Sequence, residues 1–385
     1  MQIHTVEAGE TLYTIARRYS LPVTKILSDN GLISDRLTVG DELLILTPTR
    51  TVTVRGGDTI ESISKRFDIK PRAILTQNPC LLGKKRLRPG QVLTVKQDTA
   101  FIGSASALGI IKKGCSHEKL RQSMPYMTYV VVDAGTITDR LNITFDTEYT
   151  VNLSKSEGKI VILGVRDESG GSLLISKDRE SEIIDSLIKT AKERGFMGIK
   201  ISSPLAVSAA KKFSEFLLES RKRFIGCDLI LFTDVPGIDA AEASELSDGA
   251  ILKFPENIEI SDSKKLLHDF ASHAESSKVF VYLPSYIRIG DGGISIDDAK
   301  TLCYRCGNVL SSDKVTLLSE FEYTKYKTGI GETVRIAFPS LQYIKAKLET
   351  LCELGFIGIS FDVDSRPTSY LTMFNAMFAR ADYSL

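Results

Sequence analysis

Gly195-Phe-Met-Gly-Ile-Lys-Ile-Ser-Ser-Pro204 decides how this chain is read. It follows a long helical pattern, enters through the glycines Gly195 and Gly198, and places Ile199 and Ile201 in a short buried run. That is the pattern of a strand in a parallel sheet covered on both faces. Similar strands are expected near Phe101–Ala105, Thr128–Val132, Lys159–Val165, Asp228–Asp234, Gly249–Phe254, Lys278–Ser285 and Gly358–Val363. Helical patterns fall near Arg179–Arg194, Pro204–Arg223, Ser261–Ser276 and Ser340–Leu354. Eight strands alternating with helices predict an α/β fold, a (β/α)8 barrel over residues 98–385. Asn142–Leu153 reads as an added hairpin and Thr316–Ile336 as a second insertion. The C-terminal ends of barrel strands face the active site. At the quoted strand that end holds Ser202, Ser203 and Pro204, none of which is a carboxylic acid.

The 385 residues suffice for this domain plus one or two small ones. Apolar content of 43%, charged content of 25% and a net charge of +1 describe an ordinary globular composition. Charge is uneven: residues 1–97 carry 15 Lys+Arg against 9 Asp+Glu, and the remainder 34 against 39. A basic N-terminal part suits an anionic polymer. No stretch is long and apolar enough to span a membrane. Met1-Gln-Ile-His-Thr-Val6 lacks the basic-then-apolar order of a signal peptide, so cytoplasmic synthesis is expected. The six cysteines and four histidines form no ligand set, so neither a metal nor a cofactor is expected.

The first hundred residues repeat. Thr5-Val-Glu-Ala-Gly-Glu-Thr-Leu12 returns 48 residues later as Thr53-Val-Arg-Gly-Gly-Asp-Thr-Ile60. Ile15, Tyr19 and Leu21 return as Ile63, Phe67 and Ile69, and Asn30 as Asn78. Each copy reads strand, helix, helix, strand. Thr11 and Thr59 follow a glycine turn as helix starts do. Pro22 and Pro71 open the second helices, and Val39-Gly40 and Pro89-Gly90 turn the chain into the closing strands.

Both copies, residues 1–48 and 49–97, resemble the LysM module. The resemblance implies binding to N-acetylglucosamine polymers, peptidoglycan or chitin, in a shallow groove between two loops. Carried over, the groove is Gly9, Glu10, Thr11, Leu12, Asn30, Gly31 and Leu32 in copy one. In copy two it is Gly57, Asp58, Thr59, Ile60, Asn78, Pro79 and Cys80. Two weak sites on one chain gain by effective concentration on a repeating polymer.

The barrel resembles glycoside hydrolase family 18, in the LysM-bearing branch found in spore formers. The matching pieces are Lys192-Glu-Arg-Gly-Phe-Met-Gly-Ile-Lys-Ile201, Val281-Tyr-Leu-Pro-Ser-Tyr286 and Leu354-Gly-Phe-Ile-Gly-Ile-Ser-Phe361. The family uses substrate assistance: the sugar's acetamido oxygen attacks, a glutamic acid ending the fourth strand protonates the leaving oxygen, and an aspartate two residues earlier orients the acetamido group. Set against that pattern, Lys200 takes the outer carboxylate position, Ser202 the orienting position and Pro204 the acid position. A proline cannot donate a proton, and loss of a general acid typically costs on the order of 10²–10⁴ in rate. Phe361 or Asp362 stands where the family often has a tryptophan, and the Lys253-Phe254-Pro255 run stands where it has a tyrosine. Tyr286 matches a family tyrosine and, with Asp362, could line a cleft.

Asp133, Asp167, Glu168, Asp234, Glu320, Glu322, Asp362 and Asp364 are alternative acids near strand ends or insertions. The reading favoured is a glycan-binding protein with a catalytically degenerate barrel, associated with a bacterial spore coat or cortex. An active N-acetylglucosaminidase with a relocated acid and a structural assembly protein that docks other spore or cell-wall proteins are the alternatives. Nothing points to nucleic acid.

Overall fold

The structure, a computed structural model, describes residues 1–84, 86–99, 101–169, 177–203, 210–235, 240–254, 258–289, 292–327 and 330–380. The two N-terminal units have the expected order. In the first, strand Gln2–Thr5 pairs antiparallel with Glu42–Ile45 around helices Leu12–Arg18 and Val23–Asn30. In the second, Pro48–Thr53 pairs with Val92–Gln97 around Ile60–Phe67 and Pro71–Gln77. Leu12, Ile15, Ile26, Leu43 and Ile45 fill the first core; Ile63, Ile74, Leu81, Leu93 and Val95 fill the second. Thr11 and Thr59 each cap a helix through a reciprocal capping box with Thr14 and Ser62.

The eight barrel strands are β1 (Gly103–Ile111), β2 (Tyr129–Ile137), β3 (Ile160–Asp167), β4 (Gly198–Ser202), β5 (Ile230–Val235), β6 (Gly249–Leu252), β7 (Val279–Tyr282) and β8 (Gly358–Asp362). All neighbouring pairs are parallel, and β8 pairs with β1, which pairs with β2, so the sheet closes. Side chains alternate between the lumen and the surrounding helices. On β4, Ile199 and Ile201 join the outer core, which leaves Gly198, Lys200 and Ser202 on the inward set. The lumen floor is aromatic: Tyr129, Phe232 and Phe280 have ring centroids 5.4–6.0 Å apart. A Cβ on Gly249 would sit 2.5 Å from Phe232 Cζ, so that glycine makes room for the ring.

Two expectations need correction. β1 runs well past Phe101–Ala105, because Ser104-Ala-Ser-Ala107 and Gly109 dilute the apolar signal of a strand that is nonetheless buried. Asn142–Leu153 is not a hairpin in itself. Leu141–Ile143 returns antiparallel to the end of β2, and Glu148–Ser156 is a helix leading to β3, burying Thr150, Val151 and Ser154. The Thr316–Ile336 insertion is a long hairpin, Leu318–Lys327 against Ile330–Pro339. The first residues of the expected Pro204–Arg223 helix lie outside the described residues; it is seen from Ala210 to Ile225.

The first small unit is built onto the barrel. Its closing strand is buried on both faces: Leu43 and Ile45 point into its own core, while Leu44 and Leu46 join the barrel's outer core. Fully burying each such leucine is worth roughly 1.5–3 kcal/mol. Around this strand, Lys300 Nζ lies 2.8 Å from Asp41, and the Gln342 N–H donates to Glu42 Oε2 at 3.0 Å. The Leu310 N–H donates to Val39 O at 2.9 Å, and any Cβ at Gly40 would meet Leu310 O.

Candidate functional site

The inward positions at the C-terminal ends of the strands form a connected polar ring. Lys112, one residue past β1, has its Nζ 2.7 Å from Asp362 Oδ2 on β8. Tyr282 of β7 donates its hydroxyl to the same carboxylate at 3.0 Å. The Tyr282 ring lies 5.8 Å from Lys253 Nζ, just past β6, which donates to Asp234 Oδ2 on β5 at 2.6 Å. Asp234 lies 3.2 Å from Lys200 of β4 and accepts the Ser202 hydroxyl. Lys200 in turn is 3.9 Å from Asp133 of β2. β3 contributes space, since a Cβ on Gly164 would come within 2.6 Å of Asp133 Oδ1, and the cation of Arg166, which opposes the charge of Lys200.

Three lysines and three aspartates thus pair around the barrel mouth, with Arg166 of β3 a further cation acting on Lys200. Burial alone would raise the Asp234 carboxyl, but the Lys200 and Lys253 charges and the hydrogen bonds from Lys253 and Ser202 outweigh it and hold the group below the usual carboxylate range. Burial likewise opposes the charge of Lys200, and the facing carboxylates of Asp234 and Asp133 outweigh it and raise its ammonium. A general acid must carry a proton at the operating pH. Asp234 is held ionised.

Of the alternative acids, Asp133, Asp234 and Asp362 therefore meet in the ring. Asp167 accepts from the Ser203 hydroxyl at 3.1 Å and the Ser169 N–H at 3.0 Å. Glu320 pairs with Arg335 across the inserted hairpin, Glu322 is exposed on the same strand, and Glu168 is exposed. Asp364 accepts Lys119 through its backbone oxygen. Pro204 and Pro255 lie outside the described residues. At the end of β8, Phe361 packs outward and Asp362 is the inward residue. Tyr286 sits on a separate hairpin, 46% exposed, and does not bond to the ring. Sequence reading missed Lys112 and Tyr282, and it saw Lys253 only as a substitution. Counting inward positions two apart from Ile110, Ile251 and Phe280 finds all three. Among the described residues no group of three His, Cys, Asp or Glu could hold a metal ion.

In the small units, the polar groups expected to face a sugar serve the fold. Asn30 donates to Ile26 O and Leu44 O, both at 2.9 Å, and accepts the Leu44 N–H at 2.7 Å. Asn78 makes the same three bonds to Ile74, Thr94 and Thr94. Each therefore latches a helix end to the closing strand. Glu10 accepts the Glu7 N–H and pairs with His4 and Arg18; Asp58 accepts the Arg55 N–H and contacts Arg66. Those bonds outweigh burial and hold both carboxyls below their usual range. Leu12 is fully buried, and Gly31 lies against Thr368 of the barrel. Leu32 is half-buried, while Gly9 and Thr11 remain on the surface. Pro79 and Cys80 form a 3-10 turn. Copy two carries an open groove of about 370 Å³ in which Gly57, Asp58, Thr59 and Ile60 form one wall. Exposed Tyr13 and Ile33 flank the corresponding loops of copy one.

Residues 4–46 and 52–96 each match the family described as LysM domain, so the chain carries two LysM domains. Over 249 residues it is 24% identical to "Putative sporulation-specific glycosylase YdhD" of Bacillus subtilis (strain 168), a match over 61% of this chain and 58% of that one. The chain thus spans somewhat over half the length of this curated relative. Among solved structures, the spore cortex-lytic enzyme SleL of Bacillus cereus superposes over 100% of both chains with a TM-score of 0.76 at 18% identity. SleL of Bacillus megaterium QM B1551 superposes over 100% of this chain and 99% of that one, with a TM-score of 0.74 at 19% identity. At these identities the likeness is one of fold.

Proposed function

We propose that this chain is a peptidoglycan-binding protein of the spore or cell wall whose chitinase-like barrel holds, but does not cleave, an amino-sugar polymer. The LysM domains support the binding half, as do relatives named for sporulation and cortex lysis. One observation carries the other half: the inward end of β4 holds Lys200 and Ser202, and the nearest carboxylate, Asp234, is held ionised by Lys200 and Lys253. In the sequence, Pro204 takes the position where the family has its acid, and a proline there has no proton to give a glycosidic oxygen. The domain limits 1–48, 49–97 and 98–385 belong to this proposal.

The second reading, an active N-acetylglucosaminidase, is favoured by the placement of Asp133 and Asp234 on either side of Lys200. The two readings separate on one assay. The full chain is mixed with purified cortex peptidoglycan, and both pelleted protein and newly released reducing ends are measured. Co-sedimentation without release supports the first reading. Release that disappears in Asp133→Asn supports the second. Truncating residues 1–97 is a poor control, because it would bare the barrel surface that Leu44 and Leu46 cover.

A further inference from the structure

The two LysM copies differ sharply in charge. Residues 1–48 carry 4 Lys+Arg against 6 Asp+Glu, whereas residues 49–97 carry 11 against 3. The groove of copy two shows where part of that charge goes. Opposite Thr59 and Ile60, its other wall is Leu81, Lys84 and Arg86. Half-buried Ile60 and Leu87 give the groove its apolar surface above the core residue Leu81, while Lys84 and Arg86 are exposed. Neither cation pairs with a carboxylate among the described residues. The groove's own acids do not cancel them equally: Asp58 is engaged by the Arg55 N–H and by Arg66, which leaves Glu61, in the first turn of its helix, as the opposing charge.

We propose that the copy-two groove selects a carboxylate-bearing amino-sugar strand, such as peptidoglycan with free lactyl or stem-peptide carboxylates, over a neutral N-acetylglucosamine polymer. This rests on the reading that the LysM domains bind amino-sugar polymers. A sugar ring covers the apolar surface of Ile60 and Leu87 through its apolar face, while Lys84 and Arg86 meet a carboxylate projecting from the strand. Two exposed ion pairs of this kind are worth a discrimination of about two- to thirty-fold at low salt. Nearly all of it should vanish at about 1 M salt, where the screening length is about 3 Å. A nucleic acid is disfavoured as the occupant, because the groove wall offers aliphatic side chains and no aromatic ring for base stacking.

The test is calorimetric titration of the full chain with chitopentaose, with a peptidoglycan fragment of equal sugar count bearing free carboxylates, and with a single-stranded DNA oligomer. The expected result is tighter binding of the anionic fragment, with the advantage removed by K84Q/R86Q, kept by K84R/R86K and enlarged by E61Q. An unchanged circular dichroism spectrum and melting temperature of K84Q/R86Q check that the variant is folded. Equal affinity for the two glycans, or an advantage that survives K84Q/R86Q or high salt, overturns the charge selection alone. Binding of neither glycan overturns the amino-sugar reading as well. DNA bound more tightly than either glycan, and lost in K84Q/R86Q, overturns the choice of ligand.

Discussion

Lys200 Nζ lies 3.2 Å from Asp234 Oδ2 inside the barrel, where burial leaves only 2% of the lysine side chain exposed. That pair turns the end of β4 from a place that could hold a proton donor into one that is electrically closed. It also sets the first expectation. Asp234→Asn leaves a buried ammonium facing only Asp133 at 3.9 Å, and breaking a buried pair from one side costs about 3–5 kcal/mol. Because the folded-state carboxyl of Asp234 lies below its unfolded value, its contribution is full above about pH 4 and is lost as pH falls further. Denaturant unfolding should show a large loss in D234N at pH 7 and a smaller one at pH 3.

Lys347 gives a slope of the same sign in a higher pH window, but there the buried charge destabilises the fold. It is 1% exposed, its Nζ has Tyr282 O at 3.5 Å and lies over the Phe254 ring at 4.8 Å, and burial alone pulls its ammonium down to about 7. The unfolded chain binds this proton up to about pH 10.4, so stability should fall by about 1.4 kcal/mol per pH unit as pH drops from there towards 7, then level off. Lys347→Met should remove that slope. The variant should melt higher than the parent at pH 7 and about equally at pH 10, as thermal unfolding followed at both pH values would show.

Leu44 couples the first LysM domain to the barrel, since Leu43 and Leu44 are neighbours that feed two different cores. Leu44→Ala should cost about 2–5 kcal/mol. Scanning calorimetry of the parent should show this domain and the barrel melting in one transition, and L44A should separate them.

Asn78 closes the second LysM domain with three hydrogen bonds. Asn78→Ala strands the Thr94 N–H and two carbonyls, at about 1–3 kcal/mol for each buried group left unpaired. Hydrogen exchange should rise across Val92–Gln97 and stay unchanged in the barrel. A loss of glycan affinity with unchanged protection would instead mean that the amide contacts sugar.

Most of the architecture could be read in the chain because period carries it. Ile199 and Ile201 mark β4, and the 48-residue repeat marks the small domains. β1 was misplaced because Ser104, Ala105, Ser106 and Ala107 are too small to mark a buried strand by hydropathy. The ring at the barrel mouth was only half legible. Its members lie on seven strands, up to 250 residues apart as in Lys112 and Asp362, and no local pattern reports which lysine meets which aspartate. Asn30 and Asn78 stood out in the repeat for a different reason: each is buried and bonds a helix end and a strand edge at once.

The most direct measurement is reducing-end release from purified spore cortex peptidoglycan by this 385-residue chain, with bound protein quantified in the same samples. Protein is expected in the pellet, with release no greater than the buffer blank, at every pH from 4 to 8. Release above the blank that is abolished by Asp133→Asn or Asp234→Asn would contradict this expectation.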